Sequence, residues 1–253
     1  MISKKELKNN TYFFFISALK KFVSIKVTDL PDIEELIGID LQKKIILKNT
    51  ISFSQNKVCN NILFWGAKGM GKSTLILSTI KFINLRKEKI NLLEVLSSDI
   101  KHLPEILYKI SKLNEKFIIF IDDISLKINT NDFKTLKVLL EGSLLSYYKN
   151  IIFYTTSNAR HIIKPIAEEN INEIQLKDQR NNIISLSDRF GLWVGFHKCN
   201  QKEYIKIVNL YAKKYMNKFD KYELEKKAKQ WSIERGDFSG RIAHQFILAN
   251  LKK

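Results

Sequence analysis

Asn61-Ile62-Leu63-Phe64-Trp65-Gly66-Ala67-Lys68-Gly69-Met70-Gly71-Lys72-Ser73-Thr74 decides how the rest of this 253-residue chain is read. The apolar run up to Trp65 is bounded by Gly66 and reads as a buried strand. From Met70 to Leu85 the positions Leu75, Ile76, Thr79, Ile80 and Ile83 recur at helical spacing. Between strand and helix, Gly66 to Ser73 fits G-x-x-x-x-G-K-[ST], in the context that a phosphate-binding loop requires. The glycines let consecutive backbone N–H groups curl around phosphate oxygens, and the helix start aims its positive dipole end at the same anion. In that arrangement Lys72 reaches β- and γ-phosphates and the Ser73 hydroxyl ligates Mg²⁺. Lys68, inside the loop, equally suits mere exposure.

Outward from this unit the same pattern repeats. Leu92 to Leu96 reads as a strand, followed by a helix with Ile106, Leu107 and Ile110 inward. Phe117 to Ile121 is a continuous apolar run, as in a strand buried on both faces. Phe133 to Leu145 is helical, Ile151 to Thr156 a fourth strand and Leu192 to Phe196 a fifth. Alternating strands and helices predict an α/β fold, a five-stranded parallel sheet with helices on both sides. Beyond about Lys198 only helices are expected, at Gln201 to Tyr215, Lys221 to Ser232 and Ser239 to Leu251. The expected organisation is an N-terminal helical segment (1–30), an α/β core (31–198) and a C-terminal helical lid (199–253), with Pro31 marking the first linker. The polar stretch Arg160 to Ser185 is too long for an ordinary connection and reads as a functional loop or an insertion.

Asp122 and Asp123 end the third strand, on the sheet edge where ligands of such folds bind. Asp122 is the expected Mg²⁺ carboxylate, and Asp123 the candidate to polarise an attacking water. Two adjacent carboxylates are costly unless a cation shares the site. Asn158, ending the next strand, could orient that water or equally form a turn. Arg189 and Arg241 are the arginines placed to meet phosphate charge.

The chain carries 43 Lys+Arg against 26 Asp+Glu, a formal charge of +17. Only six of the cations are arginines, and the lysines are scattered among Ile and Asn, which favours codon-driven composition over a footprint for a polyanion. Cys59 and Cys199 lie far apart with no His or Cys at ligand spacing, so neither a disulfide framework nor a zinc site is indicated, and a reducing cytoplasm is the expected compartment. His102, His161, His197 and His244 lack partners at metal spacing. The run Tyr12 to Leu19 is too short for a bilayer span of about 20 residues and lacks a cleavage site; it is expected to be an amphipathic helix packed on the core.

With these residues in place, the chain resembles the AAA+ ATPase superfamily. More narrowly, Leu36 to Asp40, Asn61 to Ser73, Asp122-Asp123, Ser157 to His161 and Ile184 to Trp193 are similar to the bacterial ATP-binding family called domain of unknown function 815. The resemblance implies an αβα ATPase core with a helical lid. It implies that Ile37 and Gly38 line an adenine pocket, that the loop from Gly66 through Thr74 holds ATP, that Asn158 is a polar sensor and that Arg241 is a lid arginine on the γ-phosphate. It also implies that Arg189 is an arginine finger acting on a neighbouring subunit, and hence a homo-oligomer. One departure is Asp123, where the superfamily carries Glu. A misplacement of about 1 Å can cost roughly a hundredfold in rate, so slow hydrolysis is expected. An Mg²⁺-dependent ATPase working on protein assembly or remodelling is the leading expectation, and a DNA-associated loader or an ATP-binding switch with little hydrolysis the alternatives.

Overall fold

A computed structural model describes residues 2–127, 130–140, 148–158, 163–164 and 188–251. Its centre is a seven-stranded sheet. The strands are β1 (Tyr12–Ile16), β2 (Lys21–Ser24), β3 (Ile62–Gly66), β4 (Ile90–Glu94), β5 (Lys116–Ile121), β7 (Ile151–Ser157) and β9 (Leu192–Phe196), in spatial order β2-β1-β4-β5-β7-β3-β9. All neighbours are parallel except β1 and β2. A separate short pair joins β6 (Leu126–Lys127) to β8 (Ile163–Lys164). The helices are α1 (Lys4–Asn9), α2 (Asp40–Ser54), α3 (Lys72–Leu85), α4 (Leu103–Ser111), α5 (Asn131–Leu140), α6 (Gln201–Tyr215), α7 (Lys221–Arg235) and α8 (Gly240–Ala249).

All five expected strands are present, but the sheet has seven because the N-terminal aromatic run is not a helix. Burial along Tyr12–Ile16 alternates, with Phe13 and Phe15 buried. That is period two, the pattern of a strand between two packed layers. Tyr12 pairs with Leu92 in parallel register, extending the sheet beyond β4. Within 1–30 the α-helical residues are Lys4–Asn9, held by a capping box between Ser3 and Glu6.

Each sheet face carries its own core. Ile118 and Phe120 of β5 pack with Leu75, Ile76 and Ile80 of α3, while Phe117, Ile119 and Ile121 pack with Ile106 and Leu107 of α4 and Leu136 of α5. The unbroken apolar run of β5 therefore serves both faces, as parallel strands do. Helices α6, α7 and α8 pack on one another and join the α3-side core through Tyr204, Val208, Ala228 and Phe246. The end of the expected Phe133 to Leu145 helix, and the Arg160 to Ser185 stretch apart from residues 163–164, lie outside the described residues, as do Arg160 and His161.

Candidate nucleotide site

The phosphate loop is shaped by glycines at positive φ, a conformation that strains other residues. Gly66 has φ +123°, and a Cβ there would stand 2.1 Å from the Phe196 carbonyl oxygen. The loop leaves the sheet tied to β9, with the Ala67 N–H donating to that carbonyl at 3.0 Å. Gly69 at φ +74° and Gly71 at φ +83° take the left-handed conformation that starts α3. Gly69 is also where the lid comes close: a Cβ would meet Ser239 Oγ at 2.9 Å, and the Arg241 N–H donates to the Gly69 carbonyl at 3.3 Å.

Lys72 is buried and donates to the carbonyls of Gly66 (2.8 Å) and Ala67 (2.9 Å) and to Asn158 Oδ1 (3.2 Å). Burial lowers its pKa; Asp122 and Asp123 oppose this, and Arg241 and Lys68 add to it. Beside it the Ser73 hydroxyl donates to Asp122 Oδ1 at 2.7 Å. Thr156, a buried residue of β7, donates its own hydroxyl to the same oxygen and accepts the Asp123 N–H at 2.8 Å. Asp123 adopts φ +49°, and its carboxylate accepts the Asn158 amide.

Ser73 and Asp122 are adjacent hard-oxygen donors, a set that suits Mg²⁺, which takes one or two protein ligands and completes its shell with water and phosphate. Among the described residues no group of three or more His, Cys, Asp or Glu forms a metal cluster.

These groups open onto one cavity of about 620 Å³. Lys68 through Thr74, Asp122, Asp123, Thr156 and Asn158 form its polar wall. Leu36, Ile37 and Ile39 come from the linker, and Tyr211, Tyr215, Arg241 and His244 from the lid. Gly38 is a turn residue at φ +80° outside this wall; a Cβ there would lie 3.3 Å from the Glu203 side chain. Gly66 and Ala67 stand behind the wall and set the loop's exit. Arg189 is exposed and precedes β9, whose first residue Leu192 pairs with Ile62. Leu192 thus begins β9 at the end of the sheet away from Gly66, and Arg189, three residues earlier, does not line the cavity.

Several cavity residues gave no sequence signal. Thr156 read only as strand. Tyr211 and Tyr215 are spaced as core residues on one helix face, and His244, whose ring lies 5.0 Å from that of Tyr211, as an ordinary histidine. Burial raises the Tyr211 pKa, with Tyr215 and Glu35 adding to it.

The sequence profile of one protein family, described as "Protein of unknown function (DUF815)", matches residues 8–252. The chain belongs to this family. It is also 32% identical over 195 residues to the Holliday junction branch migration complex subunit RuvB of Mycoplasmopsis synoviae, a match covering 73% of this chain and 55% of that protein. The chain thus spans about half the length of that curated relative. Among solved structures, a point mutant of Thermotoga maritima RuvB superposes with TM-score 0.60 at 18% identity, over 85% of this chain and 62% of that one. The Aeropyrum pernix ORC2 protein, in ADPNP and ADP complexes, gives TM-score 0.58 at 14% identity over 90% and 71%. The family's fold is therefore that of the AAA+ ATPases. Among the described residues no helix is long and apolar enough to cross a membrane.

Proposed function

We propose that this chain binds ATP with Mg²⁺ in the cavity between phosphate loop, linker and lid, and that it hydrolyses ATP to drive movement of the lid and of a neighbouring subunit. The observation that carries this reading is the convergence of Lys72, the Ser73–Asp122 pair, Asn158 and Arg241 on one cavity. The N–H groups at the start of α3 and the Lys72 ammonium hold the phosphates, and the apolar linker side chains with Tyr211 hold the base. When bound, Mg²⁺ supplies Lewis-acid neutralisation of phosphate charge, and Ser73 and Asp122 would hold it. Lys72 meets the γ-phosphate already in contact with Asn158, so the loop and the end of β7 respond together. Arg241 brings lid charge to the same phosphate, which couples nucleotide state to α8. We assign residues 31–198 to the ATPase core and 199–253 to the lid.

Removing Lys72 deletes a charge-assisted contact of about 1.5–3 kcal/mol, so Lys72→Ala is expected to weaken binding of a fluorescent ATP analogue roughly ten- to a hundredfold. Unchanged affinity would remove the phosphate-loop assignment.

A DNA-associated role is the second reading. It is favoured by the relative named for Holliday junction branch migration. Phosphate contacts release counterions, so anisotropy with labelled single- and double-stranded DNA should show affinity falling steeply with salt. Absence of binding at physiological salt, or binding without a salt slope, would exclude it.

A further inference from the structure

Besides the groups that meet phosphate, the nucleotide cavity has an aromatic wall. Helix α6 lines it with Ile207, Leu210, Tyr211, Lys214 and Tyr215, spaced i, i+3, i+4, i+7 and i+8, which is a single helix face. Helix α8 adds His244, one turn beyond Arg241. The Tyr211 and Tyr215 rings stack at 6.2 Å with an interplanar angle of 24°, and the His244 ring lies 5.0 Å from the first and 5.8 Å from the second. Such a wall suits the face of a base, and every base has a π-face. Tyrosine hydroxyls and a neutral imidazole each donate and accept, so they do not choose between an amino and a keto edge.

Glu35 is the group in this wall that can choose. It is half-buried, ends a 3₁₀ turn (Ile33–Glu35), and is followed directly by Leu36 and Ile37, which line the same cavity. The Asp32 N–H donates to Glu35 Oε2 at 2.8 Å, which fixes the carboxylate on the linker. Burial, Tyr215 and Glu35, in that order, raise the Tyr211 pKa, so the carboxylate's charge reaches the aromatic wall. A carboxylate is acceptor-only and has lone pairs beyond the one spent on Asp32. The other charged residues from this side, Asp29 and Lys214, line both this cavity and a smaller one of about 390 Å³, whereas Glu35 lines the larger and not the smaller.

We propose that Glu35 sets the base specificity of this chain by accepting a hydrogen bond from the exocyclic amino group of adenine, while Tyr211 and His244 hold the face of the ring. The inference rests on the ATP-binding reading and names how that site selects its nucleotide. A 6-keto purine turns an acceptor toward the same carboxylate, so the two lone-pair edges repel and the wrong base is rejected as well as the right one held. Inosine triphosphate is the informative comparator, because guanine carries a further amino group that a carboxylate also accepts.

The test is displacement of a ribose-labelled fluorescent ATP analogue by ATP and by inosine triphosphate, with Mg²⁺, from wild type, Glu35→Gln, Glu35→Ala and Tyr211→Ala, with thermal melts alongside. Wild type is expected to bind ATP roughly ten- to a hundredfold more tightly than inosine triphosphate, the size of a hydrogen bond to a charged group. Glu35→Gln keeps an oxygen for the Asp32 N–H and gains an amide donor for the keto edge, so its preference should fall to within about threefold, with ATP weaker and inosine triphosphate tighter. Glu35→Ala should bring ATP down to the level of inosine triphosphate, and it decides should Glu35→Gln fail to fold. Tyr211→Ala should weaken both nucleotides alike, by roughly tenfold, as loss of a stacking face does. A wild type that does not discriminate overturns the inference, as does a preference left unchanged in Glu35→Gln or Glu35→Ala, including an equal weakening toward both nucleotides. A wild type that binds neither nucleotide overturns instead the nucleotide reading beneath it.

Discussion

Thr156 joins the two acidic residues of the site through a single oxygen, donating to the Asp122 carboxylate and accepting the Asp123 backbone N–H. Thr156→Val keeps the shape and deletes both bonds. It is expected to lower stability by about 1–3 kcal/mol, the cost of buried groups left unpaired, and to slow ATP turnover more than it weakens ATP binding. Urea unfolding and steady-state ATPase assays check the two effects; a normal turnover number would show that the acidic pair does not depend on this bridge. At this scale legibility depends on sequence contiguity. Gly66 to Ser73 could be read because one local segment contains the loop, the cation and the metal hydroxyl. Thr156 and Tyr211 could not, because their proximity to the site comes from strand register or from packing of the C-terminal helices, neither of which leaves a local pattern. Ile37 and Gly38 were both assigned to the base pocket by resemblance; Ile37 lines the cavity, and Gly38 forms the turn beside it.

Elements were most legible where strands were fully apolar. β5 and β3 were plain in sequence, because a strand covered on both faces needs no polar alternation. β1 was missed because all five of its residues are apolar or aromatic, so its period of two appears only in burial. Its register neighbour on β4 explains why it is a strand: the α/β core leaves β4 with an unpaired edge, and β1 supplies the hydrogen bonds. Two tyrosines anchor elements by donating buried hydroxyl protons: Tyr12 to the Leu77 carbonyl on α3 (3.1 Å) and Tyr204 on α6 to the Ala228 carbonyl on α7 (3.2 Å). Burial pushes both up to about 12, from an ordinary value near 10. A folded-state pKa above the unfolded one gives stability that is complete below pH 10 and is lost as pH rises toward about 12. Thermal melts between pH 8 and 12 should therefore show Tm falling from about pH 10, with a shallower fall in Tyr204→Phe. An equal slope in that variant would place the alkaline loss elsewhere.

Over the whole molecule, Arg189 is exposed, precedes β9 and does not line the nucleotide cavity. The proposed role for it is to serve a nucleotide held by the next subunit. ATPase rate per chain is therefore expected to rise with protein concentration, and Arg189→Ala to lower the plateau while leaving ATP affinity within a few-fold of wild type. A rate per chain independent of concentration, unchanged in Arg189→Ala, would rule out the subunit-crossing role. The change from strand-helix alternation to helices alone could be read in the sequence, but the approach of α8 to the phosphate loop could not, since it rests on the Arg241 N–H meeting Gly69.

The segment between β2 and α2 has a mechanical consequence. Lys81 and Ser78 of α3 fasten it through the carbonyls of Leu30 and Pro31, and Lys81 also pairs with Asp32. Asp29, Leu30 and Pro31 are at the same time part of the cavity wall. The N-terminal hairpin is thus tied to the cavity wall by this segment as well as to β4 by strand pairing, so a ligand that stiffens the cavity wall is expected to slow amide exchange in the segment that leads back to the hairpin.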